Sequence, residues 1–295
     1  RHVDPQKFNL FQRCAIRLYS RIFEMLDVKL FRALKKVVVL TFQGDDARQG
    51  DYCRQNFEIT FANEVDQNYY TAESDQLKRE RIAKYARYVD RIFALNPDLL
   101  HVLPPHAQFL PYCHIDIREW RIAEKRPGLP GKRPVVLHAP SHRGVKGTRF
   151  ILEAVSRLQS EGVEFDFILV EGMKNDEARK HYESADILID QLLAGWYGGL
   201  AVELMALGKP VIAYIRTADL KFIPSEMRED LPIVDASPAT IYDVLKHSLT
   251  DGWDALQEIG QRSRSYVEKW HDPIQIAQKM RLTYEECIKL NSGKN

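Results

Sequence analysis

The sequence predicts an α/β fold whose second half is a parallel, doubly wound sheet. Three observations carry that expectation. Short β-branched and apolar runs alternate with helical segments between residues 135 and 214, the order that sets parallel strands between crossover helices. Residues 37–42 form a continuous β-branched and apolar run that ends in Gln43-Gly44-Asp45-Asp46, as a buried strand enters a loop. Two strand-to-helix junctions, 138–148 with two cations and 190–203 without, carry glycines, and loops at the carboxyl ends of parallel strands are where such folds bind ligands.

Between residues 10 and 34, Phe11, Ile16, Leu18, Ile22, Phe23, Leu26, Leu30 and Leu34 recur at three- and four-residue spacing, as one or two amphipathic helices require. Arg13, Arg17, Arg21, Lys29, Arg32, Lys35 and Lys36 decorate them. Such helices either lie on an anionic membrane surface or pack on a sheet with a solvated basic face. A helix at about 75–86, a strand at 91–94 and a Pro-rich stretch at 103–111 follow. Residues 117–133, with Pro127-Gly128-Leu129-Pro130-Gly131, lack periodicity and read as a connection between domains.

The second half reads as strand 135–139, helix 148–161, strand 165–171, helix 176–184, strand 187–189, helix 199–207 and strand 211–214. Helices at 238–250 and 253–270 come next. His271-Asp272-Pro273 opens a last helix to about residue 290, with proline near its start.

The chain has 295 residues, more than one hydrophobic core usually serves, so two domains are expected. Hydrophobic residues make up 45% and charged residues 28%, which fits a globular protein and excludes a disordered or fibrous one. A net charge of +1 supplies no global field for nucleic acid, so anion binding must come from local Lys and Arg. Cys14, Cys53, Cys113 and Cys287 have no CxxC spacing; they predict neither a zinc knuckle nor a disulfide framework and fit a reducing compartment. No apolar run approaches a membrane span, and the first residues given lack the charged, apolar and cleavage regions of a signal peptide. The expected location is cytoplasmic, at most peripheral at the inner membrane face. Arg1 is not an initiator methionine, which reads as a processed, trimmed or partial chain.

Two loops carry chemistry. His138-Ala139-Pro140-Ser141-His142-Arg143-Gly144-Val145-Lys146-Gly147-Thr148 sets two cations beside a helix start, a suitable geometry for a diphosphate: Arg143 offers a planar fork, Lys146 a compact charge, and the helix dipole adds attraction. Taken alone it is equally a basic surface loop. The second loop runs from Asp190 through Gly195, Gly198, Gly199 and Leu200 to Glu203. Its glycines let main-chain amides approach a ligand, and Glu203 is placed to accept from a ribose diol or simply to favour a helix start. His138 reads as a satisfied core residue or a cleft group. His142 sits nearer the expected diphosphate, and His114 has no paired ligand at metal spacing. Trp196 and Tyr197 stack on a ligand or fill core.

KGT at 146–148, ADILID at 185–190 and GWYGGLAVELMALGKPVIAYI at 195–215 resemble the donor domain of retaining GT-B glycosyltransferases, the "glycosyl transferases group 1" family. More weakly, residues 26–48 resemble the end of that family's acceptor domain and 271–285 its closing helix. The resemblance implies two Rossmann-like domains, the N-terminal one incomplete. Residues 1–118 would form the acceptor side, 119–270 the donor side, and 271–295 a helix crossing back. It implies a nucleotide diphosphate-sugar donor, a glycan, lipid-linked or small-molecule acceptor, retention at the anomeric carbon, and no bound metal or other cofactor. Arg143, Lys146 and Glu203 become the candidate catalytic residues, with Ser141, Gly147, Asp190, Gly198, Gly199 and Leu200 around the donor. Gly44, Asp45, Asp46 and Arg48 become acceptor-side candidates, although an Asp-rich strand end is equally a cap or turn.

The sequence departs from that family at one telling place. The family pairs two glutamates eight positions apart, and eight before Glu203 stands Gly195. The missing carboxylate normally contacts the transferred sugar; Asp190 or Gln191 are the substitutes at hand. A non-catalytic nucleotide- or partner-binding protein, and an epimerase or inverting transferase on the same fold, are the alternatives this leaves open.

Overall fold

The computed structural model describes residues 23, 25–122 and 133–292. The helical periodicity expected upstream of residue 23 and the segment 123–132 of the expected connection lie outside the described residues. The chain builds two parallel sheets. The first contains β1 (Val39–Phe42), β2 (Arg91–Ala94) and β3 (Gln108–Phe109) in the order β1-β2-β3. Before and between them come α1 (Leu26–Ala33), α2 (Gly50–Asn56) and α3 (Ala72–Tyr85).

The second sheet has β4 (Val135–His138), β5 (Asp166–Leu169), β6 (Ile187–Ile189), β7 (Val211–Ala213) and β8 (Ile233–Asp235) in the order β5-β4-β6-β7-β8. Every pairing is parallel. Its helices are α4 (Arg143–Lys146), α5 (Thr148–Ser160), α6 (Asn175–Ser184), α7 (Gly199–Ala206), α8 (Ser225–Asp230), α9 (Ile241–Leu249) and α10 (Trp253–Trp270), and α11 (Pro273–Ser292) closes the chain.

Strand patterning explains why both faces of this sheet are covered. Val136, Ile187, Ile189 and Ile212 pack with Ile151 and Leu158 of α5 and Leu245 of α9. Their neighbours Leu137, Leu188, Val211 and Ala213 pack on the other face with Val202 and Met205 of α7 and Val267 of α10. Strands buried on both sides read as unbroken apolar runs rather than alternating ones. β4 pairs with β5 on one side and β6 on the other, so the chain changes winding direction there. The crevice beyond the carboxyl ends of β4 and β6 is the switch point at which open α/β sheets bind ligands.

The two sheets are tied by specific contacts. Ile276 of α11 packs on Phe93 of β2 and on Leu110 just after β3, and Asn291 Nδ2 donates to Asp90 Oδ1 at 3.0 Å. Arg264 of α10 donates to the Ala206 carbonyl at 2.7 Å and to the carbonyl of Trp120, pinning the connection against α7. His271, fully buried, donates from Nδ1 to the Tyr112 carbonyl at 2.8 Å. Its Nε2 therefore accepts from the Tyr197 hydroxyl at 2.9 Å, which leaves that oxygen to accept from Tyr266 at 3.0 Å.

Boundaries shift where capping overrides periodicity. α3 begins at Ala72, earlier than expected, because Thr71 and Ser74 cap each other's main-chain N–H at 3.1 and 3.0 Å. α2, α8 and β8 span seven, six and three residues, too few for a periodic pattern to emerge. Among the described residues no helix is long and apolar enough to cross a membrane.

Candidate functional site

The switch-point crevice is built by the two loops after β4 and β6. After β4 the chain turns into α4, capped by His142, whose Nδ1 accepts from the Val145 N–H at 3.3 Å. Lys146 ends that turn and points inward, so that only 11% of its side chain is exposed. Its Nζ donates to Asp190 Oδ1 at 2.7 Å. Asp190 follows directly on β6, is wholly buried, and accepts the Gly198 N–H on Oδ2 at 2.6 Å. An ammonium, a carboxylate and a helix-entrance amide thus form one compact cluster.

Gly198 permits this closeness. A Cβ there would stand 3.0 Å from Lys146 Nζ and 3.3 Å from Asp190 Oδ2, tight contacts that any side chain would impose. Gly199 and Leu200 open α7 behind it and are partly exposed. Glu203 lies one turn on, with His114 Nε2 3.3 Å from its Oε1. The His114 ring rests on Gly199, where a Cβ would meet Cε1 at 3.2 Å. Ser141 is exposed and Gly147 joins α4 to α5.

Arg143 is arranged differently from Lys146. Its guanidinium forks onto the Glu171 carboxylate, with Nε at 2.8 Å, and 59% of the side chain faces solvent. The structure therefore brings Lys146, Asp190 and Gly198 into one cluster with Glu203 on the adjoining helix, and leaves Arg143 on the rim.

The sequence candidates for a sugar contact are otherwise engaged. Asp190 is bound as described. Gln191 donates from Nε2 to the Trp196 carbonyl, and its own carbonyl accepts the Tyr214 N–H at 2.9 Å. At Gly195 the chain has φ +79°, and a Cβ would stand 2.6 Å from Arg216 Nη1. Arg216 holds that space: Nη1 pairs with Asp219 at 2.8 Å, Nη2 donates to the Ile59 carbonyl at 3.0 Å, and the guanidinium lies 3.7 Å from the Phe57 ring centre. Asp219 also meets His101 Nε2 at 2.7 Å. This cluster, which no local sequence pattern signals, joins the segment after α2 to the loop after β7.

On the first sheet the strand-end residues divide. Asp46 accepts from the Gln43 N–H at 3.0 Å and the Gly44 N–H at 2.8 Å, a local turn. Arg48 is buried, holding Asp98 through Nε at 2.6 Å and Nη2 at 3.1 Å. Asp45 keeps an exposed carboxylate gripped by the Tyr69 hydroxyl at 2.5 Å, the Tyr70 hydroxyl and Arg48 Nη1 at 3.2 Å. The partial desolvation of its 43%-exposed side chain works against ionisation, but the Arg48 charge and the two hydroxyls outweigh that and hold the group below the usual carboxylate range. The Tyr69 ring also packs edge-on against His142 at 5.2 Å, so Tyr69 links Asp45 to the cap of α4.

His138 is a core residue: its Nδ1 donates to the Ile189 carbonyl at 2.7 Å, so Nε2 accepts from the Thr148 hydroxyl at 2.9 Å. Burial lowers its pKa to about 4. Trp196 and Tyr197 are likewise buried in the core on the α7 face. Among the described residues no group of three His, Cys, Asp or Glu is placed to hold a metal ion. A cavity of about 490 Å³ adjoins His114, lined by Cys113, Ile117, Glu268 and Pro273. A second of the same size lies on α10 around Arg262 and Lys269. Neither is lined by Lys146, Asp190 or Gly198, so the switch-point site rests on its chemistry and topology.

No family model matches the sequence, and no curated protein matches it. Solved structures do. Sucrose-phosphate synthase of Thermosynechococcus elongatus is 15% identical with a TM-score of 0.56, over 98% of this chain and 81% of that one. Anabaena HepE in complex with UDP and glucose is 11% identical with a TM-score of 0.59, over 88% and 74%. A glycosyltransferase from Rickettsia africae is 13% identical with a TM-score of 0.54, over 98% and 85%. With its two parallel Rossmann-like sheets and the crevice at the switch point of the second, the chain has the GT-B fold of these glycosyltransferases.

Proposed function

We propose that this protein is a glycosyltransferase that takes its sugar from a nucleotide diphosphate-sugar. The observation that carries the reading is the convergence of the Lys146 ammonium and the Gly198 amide at the switch point of a GT-B fold. An ammonium beside a helix-entrance amide is suited to a phosphate oxygen. Glu203, on the same helix, would accept from the ribose diol. UDP and glucose in the HepE structure support a donor of this class.

Transfer breaks the bond between the anomeric carbon and the diphosphate, whose oxygen leaves with the electron pair. A bond forms to an acceptor hydroxyl, which gives up its proton. Lys146 and the Gly198 amide would stabilise the charge gathering on the leaving group, Arg143 would add a second cation at the rim, and the reading calls for no metal. The family resemblance supports retention. Asp45, linked through Tyr69 to the His142 cap and still partly exposed, would be the acceptor-side group. The acceptor is a glycan, a lipid-linked sugar or a small molecule. α1 leaves Leu26, Leu30 and Phe31 exposed beside Lys29 and Arg32, which supports peripheral contact with an anionic inner membrane face.

The second reading is a nucleotide-binding protein without turnover, favoured by one observation: Arg216 fills the space before Gly195 where the resemblance calls for a carboxylate. One experiment addresses both. Calorimetry against UDP, GDP, ADP and their sugar conjugates, without and then with a divalent metal, is followed by assay of the bound conjugate for release of its diphosphate. Metal-independent binding with release supports the transferase. Binding without release under any acceptor supports the second reading, and no binding removes both.

A further inference from the structure

Lys146 and Asp190 make an ion pair buried where a ligand would enter. Lys146 Nζ lies 2.7 Å from one Asp190 oxygen, and the Gly198 amide donates to the other at 2.6 Å. The Asp190 side chain has no exposure at all. These two donors are the kind a phosphate uses at the entrance to a helix, yet the anion they hold is the protein's own. Asp190 comes from the end of β6 and Lys146 from the loop after β4, so the pair spans the switch point. A Cβ on Gly198 would stand 3.0 Å from Lys146 Nζ and 3.3 Å from Asp190 Oδ2, so the glycine is what lets its amide approach the pair.

We propose that Asp190 is the resident anion of this cradle. It orients Lys146 and the Gly198 amide and sets the affinity for a diphosphate by competing with it for both. The proposal rests on the donor-site reading above and adds an affinity-determining residue to it. The physical ground is charge. A diphosphate drawn to Lys146 meets a fixed carboxylate on the same ammonium, and in a site this dry such repulsion is little screened by salt. Binding therefore includes the displacement of Asp190 from its two partners.

The test is calorimetry of the full chain with inorganic pyrophosphate and with UDP, GDP and ADP, comparing wild type, Asp190→Asn, Lys146→Ala and the double variant. Asparagine keeps the shape and an acceptor for the Gly198 N–H while removing the charge. Asp190→Asn is expected to bind tighter by about tenfold or more, the scale of one charge-assisted hydrogen bond no longer contested. The gain is expected to vanish in the Lys146→Ala background. Equal or weaker binding by Asp190→Asn overturns the proposal, because Asp190 then only holds Lys146 in place. If wild type binds a nucleoside diphosphate and Asp190→Asn gains nothing, the donor reading stands and this proposal falls. If no nucleotide binds but pyrophosphate binds Asp190→Asn more tightly, the cradle stands and the donor reading falls. Thermal unfolding monitors the fold, and Asp190→Ser, which keeps a hydroxyl acceptor, takes the same titration where asparagine is not tolerated.

Discussion

Gly195 and Arg216 claim one volume: a Cβ on Gly195 would sit 2.6 Å from Nη1 and 2.7 Å from Cζ of the guanidinium. Arg216 cannot simply swing away, because Asp219, the Ile59 carbonyl and the Phe57 ring fix it from three directions. Gly195 also has φ +79°, a left-handed conformation that costs an L-residue about 1–2 kcal/mol. Gly195→Ala should therefore lower the unfolding free energy by about 2 kcal/mol or more, read from urea unfolding midpoints. Gly195→Glu should lose more and yield a poorly folded chain rather than a restored carboxylate. An unchanged midpoint in Gly195→Ala would mean that Arg216 yields freely.

Arg48 and Asp98 give a second stability prediction. Both are buried, and they share two hydrogen bonds at 2.6 and 3.1 Å. Removing Asp98 leaves the buried guanidinium to the half-exposed Asp45 carboxylate at 3.2 Å, a loss of about 3–5 kcal/mol for buried pairs of this kind. Asp98→Ala should fall in that range by chemical denaturation. Arg48 also donates to Asp45, so the variant should loosen the Asp45 loop and raise its amide hydrogen exchange. A loss under about 1 kcal/mol, the scale of an exposed pair, would show the pair to be solvated.

The two buried histidines predict an acid-side loss of stability. Burial lowers His138 and His271 to about 4 from an ordinary 6.5. Below the ordinary value the unfolded chain takes up protons that the folded chain refuses. Stability is thus complete above about pH 6.5 and falls as pH drops toward 4. Each ring contributes a slope of up to about 1.4 kcal/mol per pH unit in that window. Asp45, Asp51 and Asp90 titrate below 3.8 in the folded chain, so their losses come at lower pH. His271→Asn should be less stable near neutrality and should show a shallower decline from about pH 6.5 to 4.5. A slope equal to wild type would remove His271 from the account.

Local pattern made much of the fold legible, and non-local pairing hid much of the site. Ile187–Ile189 and Trp253–Trp270 carry enough apolar or periodic residues to fix their bounds, and the strand-helix alternation anticipated a parallel sheet. Gly195 was visible as the departure at the site, since a glycine interrupts an otherwise matching motif. Its cause was not, because Arg216 is distant in sequence and its own anchor, Ile59, lies 157 residues away. Lys146 and Asp190 each read as candidates, but their pairing across 44 residues depends on β4 and β6 being neighbours, which element order alone leaves open. Asp45 and Asp46 look alike in sequence. Only the second has its own loop amides within reach, whereas the first is met by Tyr69 and Tyr70 from a later segment.

The two cations of the β4 loop should contribute unequally to nucleotide binding. Lys146 is buried to 11% exposure and already faces an anion, whereas Arg143 is 59% exposed and shares its charge with Glu171. A charge-assisted contact in a dry site is worth about 1.5–3 kcal/mol, and an exposed pair about 0–1 kcal/mol. Lys146→Ala should weaken diphosphate binding by about tenfold to a hundredfold and Arg143→Ala by less than about fivefold, both read by calorimetry at one salt concentration. Raising the salt should erase the Arg143 difference first, because its field reaches the ligand through solvent. The reverse order would mean that Arg143 leaves Glu171 and closes over the phosphates on binding, and Glu171→Gln should then tighten binding by freeing it.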